Sequence, residues 1–376
     1  MILFLHNRYR VTGGEERVVD DLLWLVRERL GEDAELLDRD SAALGRGRAA
    51  AGLLRGGLDP DDVAAAVRRT GARIVHAHNL LPGLGWRALA AAREAGARVV
   101  LHLHNYRLVC AVGTCVDPSG ADCTRCHGRN TLPGVRLNCR GTGPEAAIYG
   151  AALALWQRRI TELADAVVVP SAAARDRLAA LGAPAAARDA HVLGHFVRDF
   201  APVSTAAAGT HAIVASRLAP EKGVDVAIDA CAAAGLPLVV CGDGPLAPHL
   251  RARAGAAGAD VTFTGRVAPE ELARLRAGAR VALVPSRAAE TFGLAALEAM
   301  AAGVPVVASR TGALAELDGD AALVPPGDAR ALADAATRTA QDAGAGPRAL
   351  AAAHRRVAPE SVASRLAGLY AGATGR

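Results

Sequence analysis

The sequence has few of the features that mark membrane, nucleic-acid-binding or disordered proteins. Aromatic residues make up 3% of the 376 residues, and no basic run is interleaved with them, which argues against nucleic-acid binding. The longest apolar run, AAIYGAALALW, is well short of the roughly 20 residues that a membrane span needs. The start, MILFLHNRYR, turns polar too early for a signal peptide. We therefore expect a soluble, cytosolic protein.

Lysine is almost absent from the sequence. The 43 basic residues include a single lysine, Lys222, and all the others are arginine. An ammonium is a compact, rotatable point charge and is not equivalent to a planar guanidinium, so Lys222 is a candidate functional residue. The formal net charge of +5 indicates either scattered solvated arginines or a region suited to an anionic ligand or an acidic membrane surface.

Short β-rich runs alternate with helical patterns along the chain, which predicts an α/β protein with parallel sheets. The length suits two domains, and the aperiodic segment FVRDFAPVSTAAAGT separates two series of strand candidates. We predict doubly wound domains over residues 1–197 and 198–357 that face a central cleft. We expect residues 358–376 to form a final helix that packs back on the first domain. The strand candidates are ILFLH, AELLD, RIVHAH, RVVLHLH, AVVVPS and HVLGH, then HAIVAS, LPLVVCGDG, VTFTG, VALVPS, VPVVAS and AALVPP.

Two loops that follow predicted strands are suited to anions, and ligands of doubly wound sheets bind at the carboxyl ends of the strands. In VTGGEERVV, Gly13 and Gly14 open a helix whose amides can approach an anion, although a plain turn explains them equally well. In ASRLAPEKGVD, Arg217 and Lys222 form a pair of cations suited to a diphosphate.

The segment RAAETFGLAALEAM keeps two glutamates, Glu290 and Glu298, in a small and apolar run. Glu290 lies in the predicted loop after the strand VALVPS, and Glu298 lies inside the following helix. Carboxylates accept hydrogen bonds from sugar hydroxyls, so the pair could hold two sugar rings on either side of a diphosphate. The alternative is one carboxylate that favours the helix dipole and one solvated glutamate.

Several ordered motifs resemble a known family. SRLAPEKG, CGDGP, FTGRV and ETFGLAALEAMAAGVPVVAS are similar to the donor half of retaining glycosyltransferases of family four, which have the GT-B fold of two Rossmann-like domains. GGEE, IVHAHN and LHLHNYRLVC are similar to the acceptor half of the same family. The resemblance spans nearly the whole chain and is specific for the family but not for the substrate.

The resemblance implies a role for each matching residue. Glu290 would contact the donor hexose and Glu298 the nucleotide ribose, while Arg217 and Lys222 would hold the diphosphate. His104 would reach the donor sugar, and Asn105 departs from the Asp that many members have there, which leaves the polarity of the acceptor side open. The remaining donor-binding candidates are Gly13 and Gly14 at the phosphate, Gly265, Arg266 and Val267 at the base, and Thr291, Phe292, Gly293 and Leu294 at the phosphate oxygens.

The predicted activity is therefore metal-independent transfer of a hexose-type sugar, with retention, from a nucleotide diphosphate sugar to an unidentified acceptor such as a glycan or natural product. UDP is favoured as the nucleotide, and GDP and ADP stay open. The sequence does not indicate the oligomeric state. The alternatives are a nucleotide-sugar epimerase on the same fold and a binding module without turnover.

Three short segments outside the family motifs for the donor contain possible metal ligands. DRD at residues 38–40 and DGD at residues 318–320 fit the D-x-D pattern of metal-dependent transferases, but neither lies beside the predicted diphosphate loop. His76 and His78 alternate along one strand and so share a face, where packing or lining of a cleft is the expected role.

Five of the seven cysteines lie in a Gly- and Pro-rich loop over residues 110–140. CTRC has the spacing of a zinc knuckle, and a structural zinc site, free thiols and a disulfide all stay open, although a cytosolic location disfavours the disulfide. The expected ligands are Cys123, Cys126, Cys139 and either Cys110, which we favour, or Cys115.

Overall fold

The computed structural model describes residues 1–10, 13–200 and 203–375, which form two α/β units. The first unit comprises residues 1–118, 123–195 and 359–376, and the second comprises residues 119–122 and 196–358. Residues 11–12 of the VTGGEERVV motif and residues 201–202 of the predicted linker lie outside the described residues.

The described part of the first unit contains a sheet of six parallel strands in the order β2-β1-β3-β4-β5-β6. Its central strands are apolar and buried, because helices cover both faces of a parallel sheet. The strands are β1 (Ile2–Arg8), β2 (Ala34–Asp40), β3 (Ile74–Ala77), β4 (Arg98–His102), β5 (Ala166–Val169) and β6 (His191–Val192).

Eight helices connect these strands in the described residues, and a ninth comes from the carboxyl end of the chain. They are α1 (Gly14–Leu30), α2 (Arg46–Arg55), α3 (Pro60–Thr70), α4 (Gly85–Glu94), α5 (Leu132–Arg136), α6 (Gly143–Glu162), α7 (Ala172–Ala180), α8 (Ala185–Arg188) and, last in the chain, α15 (Pro359–Thr374). Helix α15 packs on α1 and β4, and the Tyr370 hydroxyl lies 2.8 Å from Nδ1 of His76. The last helix therefore belongs to the first unit.

The second unit has its own sheet of six parallel strands, as far as its residues are described, in the order β12-β11-β10-β7-β8-β9. The strands are β7 (His211–Ala215), β8 (Leu238–Cys241), β9 (Val261–Gly265), β10 (Ala279–Val284), β11 (Val306–Ser309) and β12 (Ala322–Val324). The chain winds away from β7 in one direction and returns to β10 on its other side. The crevice between the carboxyl ends of β7 and β10 is thus the switch point, where doubly wound sheets bind ligands.

Helices cover both faces of this second sheet. They are α9 (Val224–Ala234), α10 (Ala247–Ala256), α11 (Pro269–Ala277), α12 (Leu294–Ala301), α13 (Ala329–Gln341) and α14 (Ala345–Val357), with 3₁₀ turns at Ala206–Ala208, Pro220–Lys222 and Gly312–Leu317. One buried cluster packs α9 and α13 against the sheet, and another packs α12 and α14 against it.

All twelve predicted strand segments are strands, and the prediction of an α/β protein with two parallel sheets is confirmed. Across the described residues we find no helix with the length and apolar character needed to cross a membrane.

Candidate functional site

Lys222 and Glu290 form an ion pair at the switch point of the second sheet. Lys222 ends the 3₁₀ turn after β7, and Glu290 lies in the loop after β10, the strand next to β7. The Lys222 Nζ atom is 2.7 Å from Oε1 of Glu290, and the Ser286 hydroxyl donates to the same oxygen at 2.6 Å. Two residues that the motifs singled out separately are therefore direct partners.

This ion pair is largely shielded from water, since the side chains of Lys222 and Glu290 are 27% and 19% exposed. Burial, the strongest influence, raises the pKa of Glu290, but the Lys222 charge and the hydrogen bonds from Lys222 and Ser286 outweigh it. The pKa of Glu290 is accordingly below its ordinary value, and the carboxylate is ionised at neutral pH.

Two glycines let the neighbouring loops approach closely enough to form this pair. Gly223 has φ +62°, and a Cβ atom there would lie 2.1 Å from the Pro285 carbonyl oxygen. Gly312 has φ +51°, and a Cβ atom there would lie 2.4 Å from the Glu290 carbonyl oxygen. Any side chain at either position would therefore force the Glu290 loop to move.

Arg287 fixes the same loop to helix α9. Its guanidinium donates to both carboxylate oxygens of Asp225, at 2.6 and 2.7 Å, and its backbone amide donates to the Glu221 carbonyl at 2.8 Å. Sequence reasoning missed Arg287, Asp225 and Ser286, although Asp225 in the first turn of a helix and an arginine two residues after a strand-ending proline were available signals.

The other predicted charged residues have partners of their own. Arg217 pairs with Glu221, four residues later, and its side chain is 56% exposed. Glu298 is 8% exposed and pairs with Arg276 of α11, so it is not a solvated glutamate. The structure thus joins Glu290 to Lys222 and holds Glu298 through a different cation.

The first turn of α12 follows Glu290 and presents backbone amides. Gly293, with φ +81°, precedes the helix, and no side-chain cap is found there in the described structure. A Cβ atom on Gly293 would lie 2.6 Å from Cδ2 of Leu314. The predicted residues Thr291 and Leu294 are half-buried at this helix start, and Phe292 packs partly on the core. A helix start of this kind favours an anion.

The loops after β8 and β9 adjoin the Arg217 loop. In CGDGP, Cβ atoms on Gly242 and Gly244 would lie 1.9 Å from the Ser216 carbonyl and 2.4 Å from the Leu218 carbonyl. The Gly242 amide donates to the Gly265 carbonyl at 2.8 Å. Beyond Gly265, the predicted base-contacting residues are Arg266, which is exposed, and Val267, which is half-buried.

In the first unit, the GGEE motif forms the amino-terminal cap of helix α1. Glu16 accepts hydrogen bonds from the amides of Gly13 and Tyr9, at 2.8 and 2.9 Å. Burial raises the pKa of Glu16, but a hydrogen bond with His6 and these amides lower it to about 2. The Gly13 amide therefore serves the cap, while a Cβ atom on Gly14 would meet nothing within 4 Å.

His104 belongs to a stack of five buried rings, which we call the histidine stack and which consists of His76, His78, His102, His104 and His195. Nε2 of His104 lies 2.7 Å from Nδ1 of His78, and the two nitrogens share one proton. Burial, followed by repulsion from His6, lowers the pKa of His104 to about 3. His104 is therefore a neutral ring at pH 7, suited to hydrogen bonding rather than to carrying charge.

Nitrogens of His76, His78 and His102, and of His102, His104 and His195, approach within 4.8 Å of one another. The ring planes within both triplets differ by only 8–34°. An ion lies in the plane of each imidazole that binds it, and nearly parallel stacked rings have no common point of that kind. The arrangement agrees with the packing role expected for His76 and His78.

Two models of protein families match the chain, one over most of the first unit and one over most of the second. Residues 12–194 match a family model described as a glycosyl transferase 4-like domain, and residues 209–342 match one described as glycosyl transferases group 1. The chain belongs to the group 1 glycosyltransferases. No curated protein matches this glycosyltransferase.

Solved structures show the same fold. HepE of Anabaena, in complex with UDP-glucose, is 20% identical with a TM-score of 0.66, and the alignment covers 98% of this chain and 99% of that one. Sucrose-phosphate synthase from Thermosynechococcus elongatus is 19% identical with a TM-score of 0.70 and coverage of 98% of both chains. AviGT4, a glycosyltransferase involved in avilamycin A biosynthesis, is 18% identical with a TM-score of 0.63, covering 100% and 98%. The predicted GT-B fold is confirmed.

Asn105, where this glycosyltransferase departs from the family motif, lies beside a buried carboxyl group. Its amide nitrogen donates to Oε2 of Glu15 at 3.1 Å and to the Tyr9 hydroxyl at 3.0 Å. Burial raises the pKa of Glu15, more than the nearby charges of His6 and Arg107 lower it. An aspartate at position 105 would bring a second carboxyl group against Glu15, so the amide suits this site.

The four aspartates of the two D-x-D segments each have a partner within the protein. Asp38 pairs with Arg8, Asp40 accepts from the Ala42 amide, Asp318 pairs with Arg310, and Asp320 pairs with Arg355 and Arg356.

The predicted zinc ligands Cys110, Cys123, Cys126 and Cys139, together with the alternative Cys115, all line one small cavity in the first unit.

Proposed function

We propose that the enzyme transfers a hexose-type sugar from a UDP-sugar to an acceptor hydroxyl, with retention of anomeric configuration and without a metal ion. The observation that carries this proposal is the Lys222–Glu290 pair at the switch point of the second sheet. It combines a cation for a diphosphate with a carboxylate for sugar hydroxyls.

Lys222 is suited to the diphosphate because its ammonium has three N–H donors and gives one to Glu290, which leaves the others for phosphate oxygens. Arg217, more than half exposed, and the amides at the start of α12 would supply further positive potential. These groups stabilise the charge that develops on the leaving diphosphate, which is the main electrostatic demand of the reaction.

In the proposed step, the bond between the anomeric carbon and the diphosphate oxygen breaks, and the acceptor oxygen bonds to the same face of that carbon. The acceptor proton passes to a β-phosphate oxygen of the leaving group, so no protein nucleophile is needed. Glu290 orients the hexose through its hydroxyls, Glu298 is proposed to contact the ribose, and neutral His104 offers its Nδ1 to a sugar hydroxyl.

UDP is the proposed nucleotide because HepE, which shares this fold, is described in complex with UDP and UDP-glucose. Backbone groups of Arg266 and Val267, just beyond β9, are proposed to bind the uracil.

The first experiment measures binding of UDP-, GDP- and ADP-sugars by thermal shift and calorimetry, followed by UDP release in donor hydrolysis. We expect a UDP-sugar to bind, and Lys222→Ala to lower kcat by roughly 10²- to 10³-fold, the usual cost of removing one preorganised charge-stabilising donor. Glu290→Gln should weaken sugar selection more than UDP binding.

Matched controls come from an exposed ion pair on α11, Arg274–Glu271, which should tolerate Arg274→Ala and Glu271→Gln with unchanged rates. Full activity of Lys222→Ala would refute the diphosphate assignment. Inverted product anomers by NMR would refute retention, and a requirement for added Mg²⁺ or Mn²⁺ would refute metal-independent catalysis. Release of an epimerised free sugar would identify an epimerase, and binding without turnover across an acceptor panel would identify a binding module.

A further inference from the structure

The loop over residues 110–140 has little regular structure to hold it in place. Within that range, the described structure contains one short helix, α5, an isolated bridge between His127 and Asn130, and single bridge residues at Val116 and Asp122. Segments with so small a core of their own are commonly stabilised by a metal ion or by disulfides.

All five cysteines of this loop line a single cavity of about 10 Å³, room for roughly one water-sized sphere. They are free thiols in the structure, and Cys115 and Cys126 are buried. The apolar part of the lining comes from residues such as Ala111, Val116 and Leu137. Thiol groups that converge on a small apolar cavity are the usual setting of a structural zinc ion.

Hydrogen-bond donors surround two of the sulfur atoms. Backbone amides of Val112, Gly113 and Cys115 contact the Cys110 sulfur, and those of Gly134 and Ala111 contact the Cys126 sulfur. Burial raises the pKa of Cys126 and of Cys139, so both are thiols without a metal, and zinc has to displace their protons. Arg125 also lines the cavity, which helps to balance the double negative charge of a Zn²⁺ ion with four thiolates.

The cavity offers five sulfurs, one more than the four ligands of a structural zinc ion. Cys115 hydrogen-bonds to the Cys110 sulfur and to Arg177, which makes it the sulfur left outside the ligand set. We propose that Cys110, Cys123, Cys126 and Cys139 bind one structural Zn²⁺ as thiolates, while Cys115 donates a hydrogen bond to the Cys110 sulfur.

Binding requires the loop to contract around the ion. Thiolates of a tetrahedral zinc site stand about 3.8 Å apart, given Zn–S bonds of about 2.3 Å. The sulfurs are not among the triplets of ligand atoms within 4.8 Å that the described residues form. Zinc therefore draws the four sulfurs together, displaces the remaining thiol protons into solvent and stabilises the loop.

The decisive experiment is metal analysis of the full chain purified from zinc-supplemented culture without chelators. We expect about one zinc ion per chain. Serine variants of Cys110, Cys123, Cys126 and Cys139 should each lose it, whereas Cys115→Ser, which keeps a donor, and Cys241→Ala, in the second unit, should retain it. Because a ligand variant can fail to fold, the wild-type chain is also stripped of zinc and titrated with Co²⁺, which should give the thiolate-to-cobalt charge-transfer bands of a tetrahedral sulfur site.

Zinc far below one equivalent together with no cobalt–thiolate band would overturn the proposal. Retention of zinc by Cys110→Ser with its loss in Cys115→Ser would overturn the choice of ligands. Fewer than seven reactive thiols in the denatured, zinc-stripped and unreduced chain would show a disulfide in place of the metal site.

Discussion

Lowering the pH from about 7 to about 5.5 is expected to destabilise the first unit, because the histidine stack is buried there as neutral rings. Burial, followed by the charges of neighbouring histidines, lowers the pKa of each ring, to about 3 for His76 and His104. In the unfolded chain each ring takes up a proton near pH 6.5. The unfolded state therefore binds more protons as the pH falls, and stability is lost.

The size of the effect follows from the number of rings. Between about pH 7 and about pH 5.5, one histidine that stays neutral in the folded state costs about 1.2 kcal/mol. Five such rings cost about 6 kcal/mol, which is comparable with the whole stability of a typical domain. Glu15 opposes this trend, since burial raises its pKa and protonation then favours the folded state. His6, 3.8 Å from Glu16, is left out of the sum.

The assay is urea unfolding at a series of pH values, followed by tryptophan fluorescence. Trp24, Trp86 and Trp156 are the three tryptophans of the chain, and all lie in the first unit, so the signal is specific to it. His102→Leu should reduce the pH dependence by about one fifth. His249→Gln, at an exposed position of α10, should leave it unchanged. A midpoint that does not move over this range, or NMR titration of the stacked rings near pH 6.5, would refute the reasoning.

Other predictions concern single positions. Lys222→Arg keeps the charge but should lower kcat at least about tenfold in steady-state assays, because a planar guanidinium does not replace an ammonium 2.7 Å from Glu290; Arg274→Lys is the control, and wild-type activity of Lys222→Arg would contradict this. Gly223→Ala should lower the urea midpoint of the second unit, followed by far-UV circular dichroism because that unit has no tryptophan, by at least twice as much as Gly235→Ala. Both glycines have φ near +60°, but a Cβ atom at Gly235 meets nothing within 4 Å; equal losses would argue against the loop contact. Asn105→Asp should destabilise the first unit by about 1–2 kcal/mol at neutral pH, and the difference from wild type should shrink in acid as the carboxyl pair with Glu15 takes up a proton; a difference independent of pH would point to another cause.

Local patterns were enough to predict the strands, part of the helices and the fold class. Each strand is a short apolar run, and helices such as α1 and α3 repeat apolar residues along one face, so both signals are contained within ten to twenty residues. Helices such as α7 and α10 have almost no apolar face, and α8 is only four residues long. The strands predicted at HAIVAS and VALVPS are present as β7 and β10. The prediction that the Lys222 and Glu290 loops follow the carboxyl ends of strands is therefore confirmed. Lys222 could also be identified as a candidate from the sequence, because a count of lysines needs no structure.

The partners of these residues were decided by the tertiary structure. Lys222 and Glu290 are 68 residues apart, and they meet because β7 and β10 are neighbours in the sheet. The pairing of Glu298 with Arg276 depends on how α11 and α12 pack. The histidine stack needs β3 and β4 as neighbours and the segment after β6, which carries His195, brought close to them. Strand order and helix packing arise from contacts across the whole chain, which no local pattern contains. Sequence alone therefore determined which elements form and which residues are chemically distinctive, while the packed sheets determined which of those residues touch.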